Sequence, residues 1–176
     1  MATWSRFVEA DPLLATELRA LIQQYGPGLG YLATVRPDGG PRLHPVSPVI
    51  ADGGLFCLIL DSPKRRDLAG DGRYALHTFP AESTDDEGYL TGRTCRVTEA
   101  NRLALVARAT RATPAVDWWL FELFIEVAMV IRRRVPADGD TPIPAVEPTM
   151  RRIWRSASTR PDTQAATHVR ETCDLG

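Results

Sequence analysis

The chain has no long hydrophobic run, no paired cysteine spacing and no excess of either charge. Its most apolar stretch, Trp118 to Ile131, is 14 residues long and carries Glu122 and Glu126. A helix that spans a bilayer needs about 20 largely uncharged residues, so no membrane contact is expected. Cysteines number three, Cys57, Cys95 and Cys173, too far apart and too few for a disulfide framework or a zinc site. A reducing cytoplasm is the compartment this usage fits. With 21 basic and 22 acidic residues the net charge is −1, which gives no broad field for nucleic acid or an acidic membrane; any anion site must be local. The N-terminal stretch carries Glu9 and Asp11 and lacks the basic start and apolar run of a signal peptide, so export by that route is not expected.

What is present reads as one globular domain with appendages. The length of 176 residues, 44% apolar content and 24% charge are ordinary for a soluble fold. Asp11 and Pro12 open a helix on Leu14, Leu18, Leu21 and Ile22, and Gly26-Pro27-Gly28 stops it. Leu29 to Val35 alternates as a strand. Pro37-Asp38-Gly39-Gly40 then turns the chain into a strand over Arg42 to Ile50, and Asp52-Gly53-Gly54 turns it again. Leu55 to Leu60 is continuously apolar, as a strand covered on both faces would be.

Asp61-Ser62-Pro63 starts a short helix to about Gly70, followed by strands over Arg73 to Phe79 and Tyr89 to Val97, with an acidic loop between them that is a candidate lid. Thr98 is a candidate cap for a helix on Leu103, Leu105, Val106 and Ala109, with Pro114 beyond its end. From Trp119 to Ile131 the period becomes two, which predicts a long strand. Residues 136 to 148 read as a loop, Met150 to Arg155 as a last strand and the remainder as a polar tail. Six or seven strands, mostly in hairpin order, with a few helices predict an antiparallel β-barrel with helical caps. The expected division is an N-terminal helix over 1–28, a barrel core over 29–135, the loop and last strand over 136–156, and the tail over 157–176.

No nucleophile–base pair, metal cluster or Gly-rich dinucleotide fingerprint is visible, so any chemistry belongs to a cofactor. Ser62 to Arg66 joins a hydroxyl and three cations to a helix start, where free N–H groups favour an anion; cations there oppose the helix dipole, a conflict that bound phosphate relieves. The same residues also read as a solvated charged turn. Pro45 and Pro48 remove amide donors, so the strand over Arg42 to Ile50 is an edge or bulged strand whose free backbone either faces a ligand or does not. Cys57 reads as an inert core thiol and His77 as a packed strand residue. Glu122 and Glu126 lie about 13 Å apart along a strand, too far to act as a pair, and are expected to face solvent or meet arginines. Arg132-Arg133-Arg134 reads as a solvated strand end. Trp118, Trp119 and Trp154 are expected in the core or an interface.

The run Arg36-Pro-Asp-Gly-Gly-Pro-Arg-Leu-His-Pro-Val-Ser-Pro-Val-Ile50, then Asp52-Gly-Gly-Leu-Phe56, Ser62-Pro-Lys64-Arg-Arg-Asp-Leu68 and Arg73-Tyr-Ala-Leu-His77, resembles the pyridoxamine 5'-phosphate oxidase-like superfamily. The resemblance covers roughly residues 29 to 132. It implies a split antiparallel β-barrel, a homodimer, and FMN at the subunit interface, with the deazaflavin F420 or haem as alternatives. It further implies a flavin-dependent oxidoreductase acting on a small molecule, or else an F420-dependent reductase, a non-catalytic flavin- or haem-binding module, or a cofactor-free one. By the same resemblance Ser62 and Lys64, with Arg65 beside them, face the cofactor phosphate, Leu58 and Ile59 offer backbone groups, and His44, Val46 and Ser47, with Arg42, border the ring. Leu58 departs from the hydroxyl or small residue of many relatives. For haem, His44 or His77 is the implied axial ligand. Trp154 to Gly176 lacks the family's Trp and Arg-Leu-x-Pro substrate signature, which argues against the vitamin oxidase itself.

Overall fold

The computed structural model describes residues 1–79, 86–110, 117–133 and 148–157. Two helices lead the chain, α1 (Trp4–Ala10) and α2 (Pro12–Gln23). The second is the one the spacing of Leu14, Leu18, Leu21 and Ile22 predicts, and all four are buried. The first is not predicted. Asp11 joins them, ending α1 through its backbone N–H to the Phe7 carbonyl at 2.9 Å and capping α2 by accepting from the Leu14 N–H at 3.0 Å.

The strands follow as β1 (Gly30–Val35), β2 (Pro41–Val46), β3 (Val49–Ala51) and β4 (Gly54–Ile59), then α3 (Pro63–Gly70), β5 (Arg73–Thr78), β6 (Glu87–Val97), α4 (Ala100–Thr110), β7 (Trp119–Arg133) and β8 (Pro148–Arg155). The predicted strand over Arg42 to Ile50 is therefore two strands, broken at Ser47-Pro48. The acidic lid loop falls outside the described residues over 80–85, as do Pro114, Arg134, residues 136–147 of the loop and the tail from 158 onward.

All pairings are antiparallel, and the strands form one sheet in the order β2-β1-β5-β6-β7-β4-β3, with β8 also on β7. The first and last strands in that order are consecutive in the chain. The sheet thus curls until β2 and β3 face each other across a seam that the chain itself crosses at Ser47-Pro48, which makes it a split barrel. Pro45 and Pro48 fit there because edge strands can forgo amide donors. Gly28, at φ 116°, lies so close to the Pro48 carbonyl that a Cβ would overlap it, so the stop after α2 also seals one end of the seam.

The pairing registers divide the sheet into two faces. His44, Leu32, Leu76, Leu90, Ala128 and Trp154 lie opposite one another along the inner face, where Leu32, Leu76, Leu90 and Ala128 are buried beneath α1 and α2. Gly88 on that face admits Leu18 of α2, a contact that a Cβ would foul at 2.8 Å. On β4 the continuous apolar run separates two cores, as its sequence predicts. Leu55, Cys57 and Ile59 join the main core, and Phe56 joins a smaller one with Val49, Val106 and Leu120 under α4.

Charge is buried where it locks an element. Arg102 of α4 reaches both oxygens of Glu122 on β7, at 2.9 and 2.8 Å, and Glu122 is 3% exposed. That meets the expectation that Glu122 pairs with an arginine. Cys57 is free and buried, and burial pushes its thiol up to about 12, which makes it inert. Cys95 is disulfide-bonded, so the expectation of unpaired cysteines fails there. Cys173 lies outside the described residues. Among those residues no helix is long and apolar enough to cross a membrane, and no group of three metal-ligating side chains occurs.

Burial raises the Glu122 carboxyl above its ordinary value, with the Arg102 guanidinium pulling the other way. A carboxyl held high binds its proton more readily in the folded chain, so its contribution to stability falls as pH rises through the carboxylate range. Arg102→Met removes the opposing charge. Because breaking a buried pair leaves an uncompensated ion, about 3 kcal/mol of stability should be lost at neutral pH, and less at about pH 4, where Glu122 is protonated. Urea melts at both pH values check this, and equal losses would show that the pair does not hold α4.

Candidate functional site

The seam opens into a cavity of about 360 Å³ lined by Pro27, Pro45, Val46, Ser47, Val49, Leu58, Ile59, Leu60, Lys64, Thr110 and Trp118. Ligand pockets run from about 300 to 1,000 Å³, so the volume suits a small flat ring system. The position follows from the fold. Two edge strands that do not ladder to each other leave a cleft whose lining also takes residues from β4, from α3, from the end of α4 and from the entry to β7. The walls are mainly aliphatic. Lys64 supplies the one cationic side chain among the described residues that line it.

Of the predicted site residues, Val46, Ser47, Leu58, Ile59 and Lys64 line this cavity together. Arg42, His44, Ser62 and Arg65 do not. Arg42 donates from Nε to Asp67 at 2.8 Å, and Asp67, 3% exposed, also accepts from the Thr34 hydroxyl at 2.8 Å. The three residues bolt α3 to β1 and β2. His44 sits on the inner face with its Nε2 buried and unpartnered. Burial first, then the Lys64 and Arg42 charges, push its imidazole down, so it is neutral at neutral pH.

The start of α3 is less open than its sequence suggests. Pro63 has no N–H, and the Ser62 carbonyl accepts from the Arg65 and Arg66 amides at 3.1 and 3.4 Å. The Ser62 hydroxyl donates back to the Leu60 carbonyl at 3.0 Å. Arg65 pairs with Asp61 at 2.6 Å, donates to the Asp117 carbonyl at 2.5 Å and lies 4.7 Å from the centroid of the Trp119 ring. Arg66, mostly exposed, has Asp61 at 3.9 Å. Lys64 differs from both: its ammonium makes no ion pair among the described residues and donates to the Pro45 carbonyl at 3.3 Å across the seam. The local charge conflict predicted for residues 64 to 66 thus narrows to Lys64.

Sequence reasoning missed Pro27, Pro45, Val49, Leu60, Thr110 and Trp118 as cavity residues. Only Pro45 and Val49 carried a signal, since both lie in the proline-broken stretch. Pro27 and Thr110 reach the cleft through the ends of helices whose paths no local pattern gives.

The cavity fits an aromatic cofactor with an anionic tail: aliphatic walls for the ring, one uncompensated ammonium for the charge, and seam backbone at Ser47-Pro48 outside any strand. It fits haem less well. Neither His44 nor His77 lines the cavity, and His77, on the outer face of β5, has Glu87 at 3.7 Å.

No family model and no curated protein matches the chain. Solved structures do match it in fold. A heme-binding protein from Mycobacterium smegmatis is 21% identical, with 64% of this chain matched to 52% of that one at a TM-score of 0.51, so the match spans about half of that protein. HutZ, the heme storage protein from Vibrio cholerae, is 18% identical over 64% of this chain and 90% of its own, at 0.51. General Stress Protein 26 from Bacillus anthracis is 15% identical over 80% and 97%, at 0.53. Identities this low speak for the fold alone, and they agree with the split barrel seen in the strand order.

Asp67→Ala strips the acceptor from both Thr34 and Arg42. Stability in urea should fall by about 3 kcal/mol, and a loss below about 0.5 kcal/mol would show that α3 is held by other contacts.

Proposed function

We propose that the chain is an FMN-dependent oxidoreductase acting on a small-molecule substrate, with the cofactor in the seam cavity and a second copy of the chain closing it. The observation that carries this is the pairing of an aliphatic cleft with Lys64, the one ammonium that faces it without a carboxylate partner among the described residues. When bound, FMN supplies the hydride or electron transfer. The chain's own residues bind and shield. Lys64 turns from the Pro45 carbonyl to the phosphate, a stronger acceptor because it is charged. Val46, Leu58 and Ile59 keep water from the ring. No carboxylate, imidazole or thiol among the described residues lines the cavity, so no side chain there is asked to move a proton.

F420 would use the same cleft and the same lysine, and the test below separates it from FMN. A haem-binding module is disfavoured at this cleft by the positions of His44 and His77. A cofactor-free scaffold is one outcome of the same test.

The second copy is supported by the outer face of the sheet. Two cross-strand rows run over six strands there, Pro45-Tyr31-His77-Tyr89-Met129-Ile153 and Leu43-Ala33-Ala75-Thr91-Val127-Arg155. All twelve are partly or fully exposed, most are apolar, neither row carries a carboxylate, and the basic side chains are His77 and, at the edge, Arg155. Low central charge lets two copies of one face meet without like-charge repulsion, and six strands offer width toward the roughly 800 Å² per partner of a standard interface. Pro45 belongs both to the first row and to the cavity wall, so a copy seated on this face would also cover the cleft.

A thermal melt and absorbance titration with FMN, F420 and haem tests the cofactor. A ligand at a hundredfold excess over its dissociation constant adds about 2.7 kcal/mol, a shift of about 5–10 °C for a chain of this size. FMN is expected to give that shift and Lys64→Ala to abolish most of it. A shift with F420 alone moves the reading to a deazaflavin reductase, and no shift with any ligand ends it. Light scattering should show a dimer, and Met129→Arg, which plants a charge mid-face, should give a folded monomer with weaker cofactor binding; a monomeric native chain would refute the second copy.

A further inference from the structure

Among the described residues β8 pairs with β7 on one side and with no strand on the other. Its register and one hydrogen bond fix which groups the free side shows. The Ser156 N–H donates to the Glu126 carbonyl at 2.9 Å. In an antiparallel ladder alternate residues bond to the neighbouring strand, so Trp154 and Arg152, opposite Ala128 and Val130, also turn their backbone groups to β7. Arg151, Ile153 and Arg155 therefore turn their N–H and carbonyl groups to the open edge. Their side chains share the outer face, where the register continues the exposed rows through Tyr89-Met129-Ile153 and Thr91-Val127-Arg155.

These side chains are as uncommitted as the backbone. Arg152, between them in sequence but on the inner face, is held by Asp11 at 3.2 Å and Glu17 at 3.8 Å. Arg151 and Arg155 are exposed and have no ion pair among the described residues, and Ile153 between them is 40% exposed. The three border a cavity of about 250 Å³ whose other lining residues are Tyr89, Thr91, Val127 and Met129, so no carboxylate among the described residues lines it.

Charged side chains on an edge strand commonly guard against pairing with another copy, and these do. A second β8 laid antiparallel about Ile153 sets each Arg151 directly opposite an Arg155, and like charges directly opposite are destabilising. The same two charges favour a different strand. We propose that β8 accepts an extended acidic segment of another protein, added antiparallel as a further strand with the pattern acidic-x-apolar-x-acidic. Its acidic residues stand opposite Arg155 and Arg151, and its apolar residue stands opposite Ile153, extending the row Tyr89-Met129-Ile153. Main-chain bonds to the three edge residues give the attachment, and the two guanidiniums give the choice of partner. In this chain, acidic residues four apart around an apolar one occur at Asp67, Ala69 and Asp71 at the end of α3 and at Glu122, Phe124 and Glu126 in β7. Both sets are built into the fold, which is why the partner is a different protein. The strand adds in the plane of the sheet and so leaves the face proposed above for a second copy uncovered.

Backbone amide exchange followed by NMR tests this on the full chain, with the peptide Thr-Glu-Thr-Val-Thr-Glu-Thr and a copy in which lysine replaces glutamate. With the acidic peptide at millimolar concentration, exchange at Arg151, Ile153 and Arg155 should slow, while Arg152 and Trp154, already bonded to β7, should not change. The lysine copy should have no effect. Arg151→Glu with Arg155→Glu should weaken the acidic peptide by about tenfold or more and, being on an exposed face, leave the melting temperature unchanged. Methylating the valine nitrogen, which faces β8, should abolish binding, whereas methylating a threonine nitrogen beside it, which points away, should not. Acidic and lysine peptides that act alike, or binding that survives methylation of the valine nitrogen, overturn the proposal. So does slow exchange at Arg151, Ile153 and Arg155 in the peptide-free chain that strengthens with protein concentration, since a second copy would then hold the edge.

Discussion

Two strands that follow one another in the chain cannot pair here, and the candidate site exists because of it. β2 and β3 hold opposite edges of the sheet, and the link between them, Ser47-Pro48, has neither residue at the positive φ that a two-residue hairpin turn requires, so they do not ladder. Pro45 and Pro48 have no amide hydrogens to offer across the gap. The sheet therefore curls to near closure and stops, and the gap stays open where an ordinary barrel would be zipped shut. Gly28 packing against the Pro48 carbonyl fixes how far the edges can separate.

Electrostatics then decides what the gap can hold. Near α3 most charges find partners: Arg42 meets Asp67, Arg65 meets Asp61, Arg73 meets Asp71 at 2.6 Å. Lys64 is left with a carbonyl. A buried carboxylate bolts the middle of the helix to the sheet through two bonds at 2.8 Å, which removes the freedom that would otherwise let the first turn swing away from the cleft. The result is a fixed cation on an aliphatic cleft, an arrangement set by packing rather than by net charge, which is nearly zero.

The same split barrel carries proteins named for binding heme, storing heme and responding to stress, so the fold does not choose among ligands. The wall residues do. In this chain no histidine among the described residues lines the cleft, and Lys64 does.

The sequence by itself determined nearly every element. Period two over Trp119 to Ile131, the Asp-Gly turns and the apolar run of β4 each reflect local physics, and every predicted strand but the one over Arg42 to Ile50 appeared as a single strand close to where its pattern placed it. The helix α1 was missed because seven residues with Trp4 and Phe7 as the buried pair are too short to show a period, and its cap, Thr3, accepts from Arg6 at a weak 3.3 Å. The break at Ser47-Pro48 was half legible, since prolines announce an edge but not which strand lies across it. What only the tertiary structure decided was pairing between distant charges and closure between distant ends. Arg42 and Asp67 are 25 residues apart, Lys64 meets the Pro45 carbonyl over 19, and Trp118 reaches the cleft from beyond α4. Local pattern carries no information on such contacts, because they depend on where the curled sheet brings its two edges together.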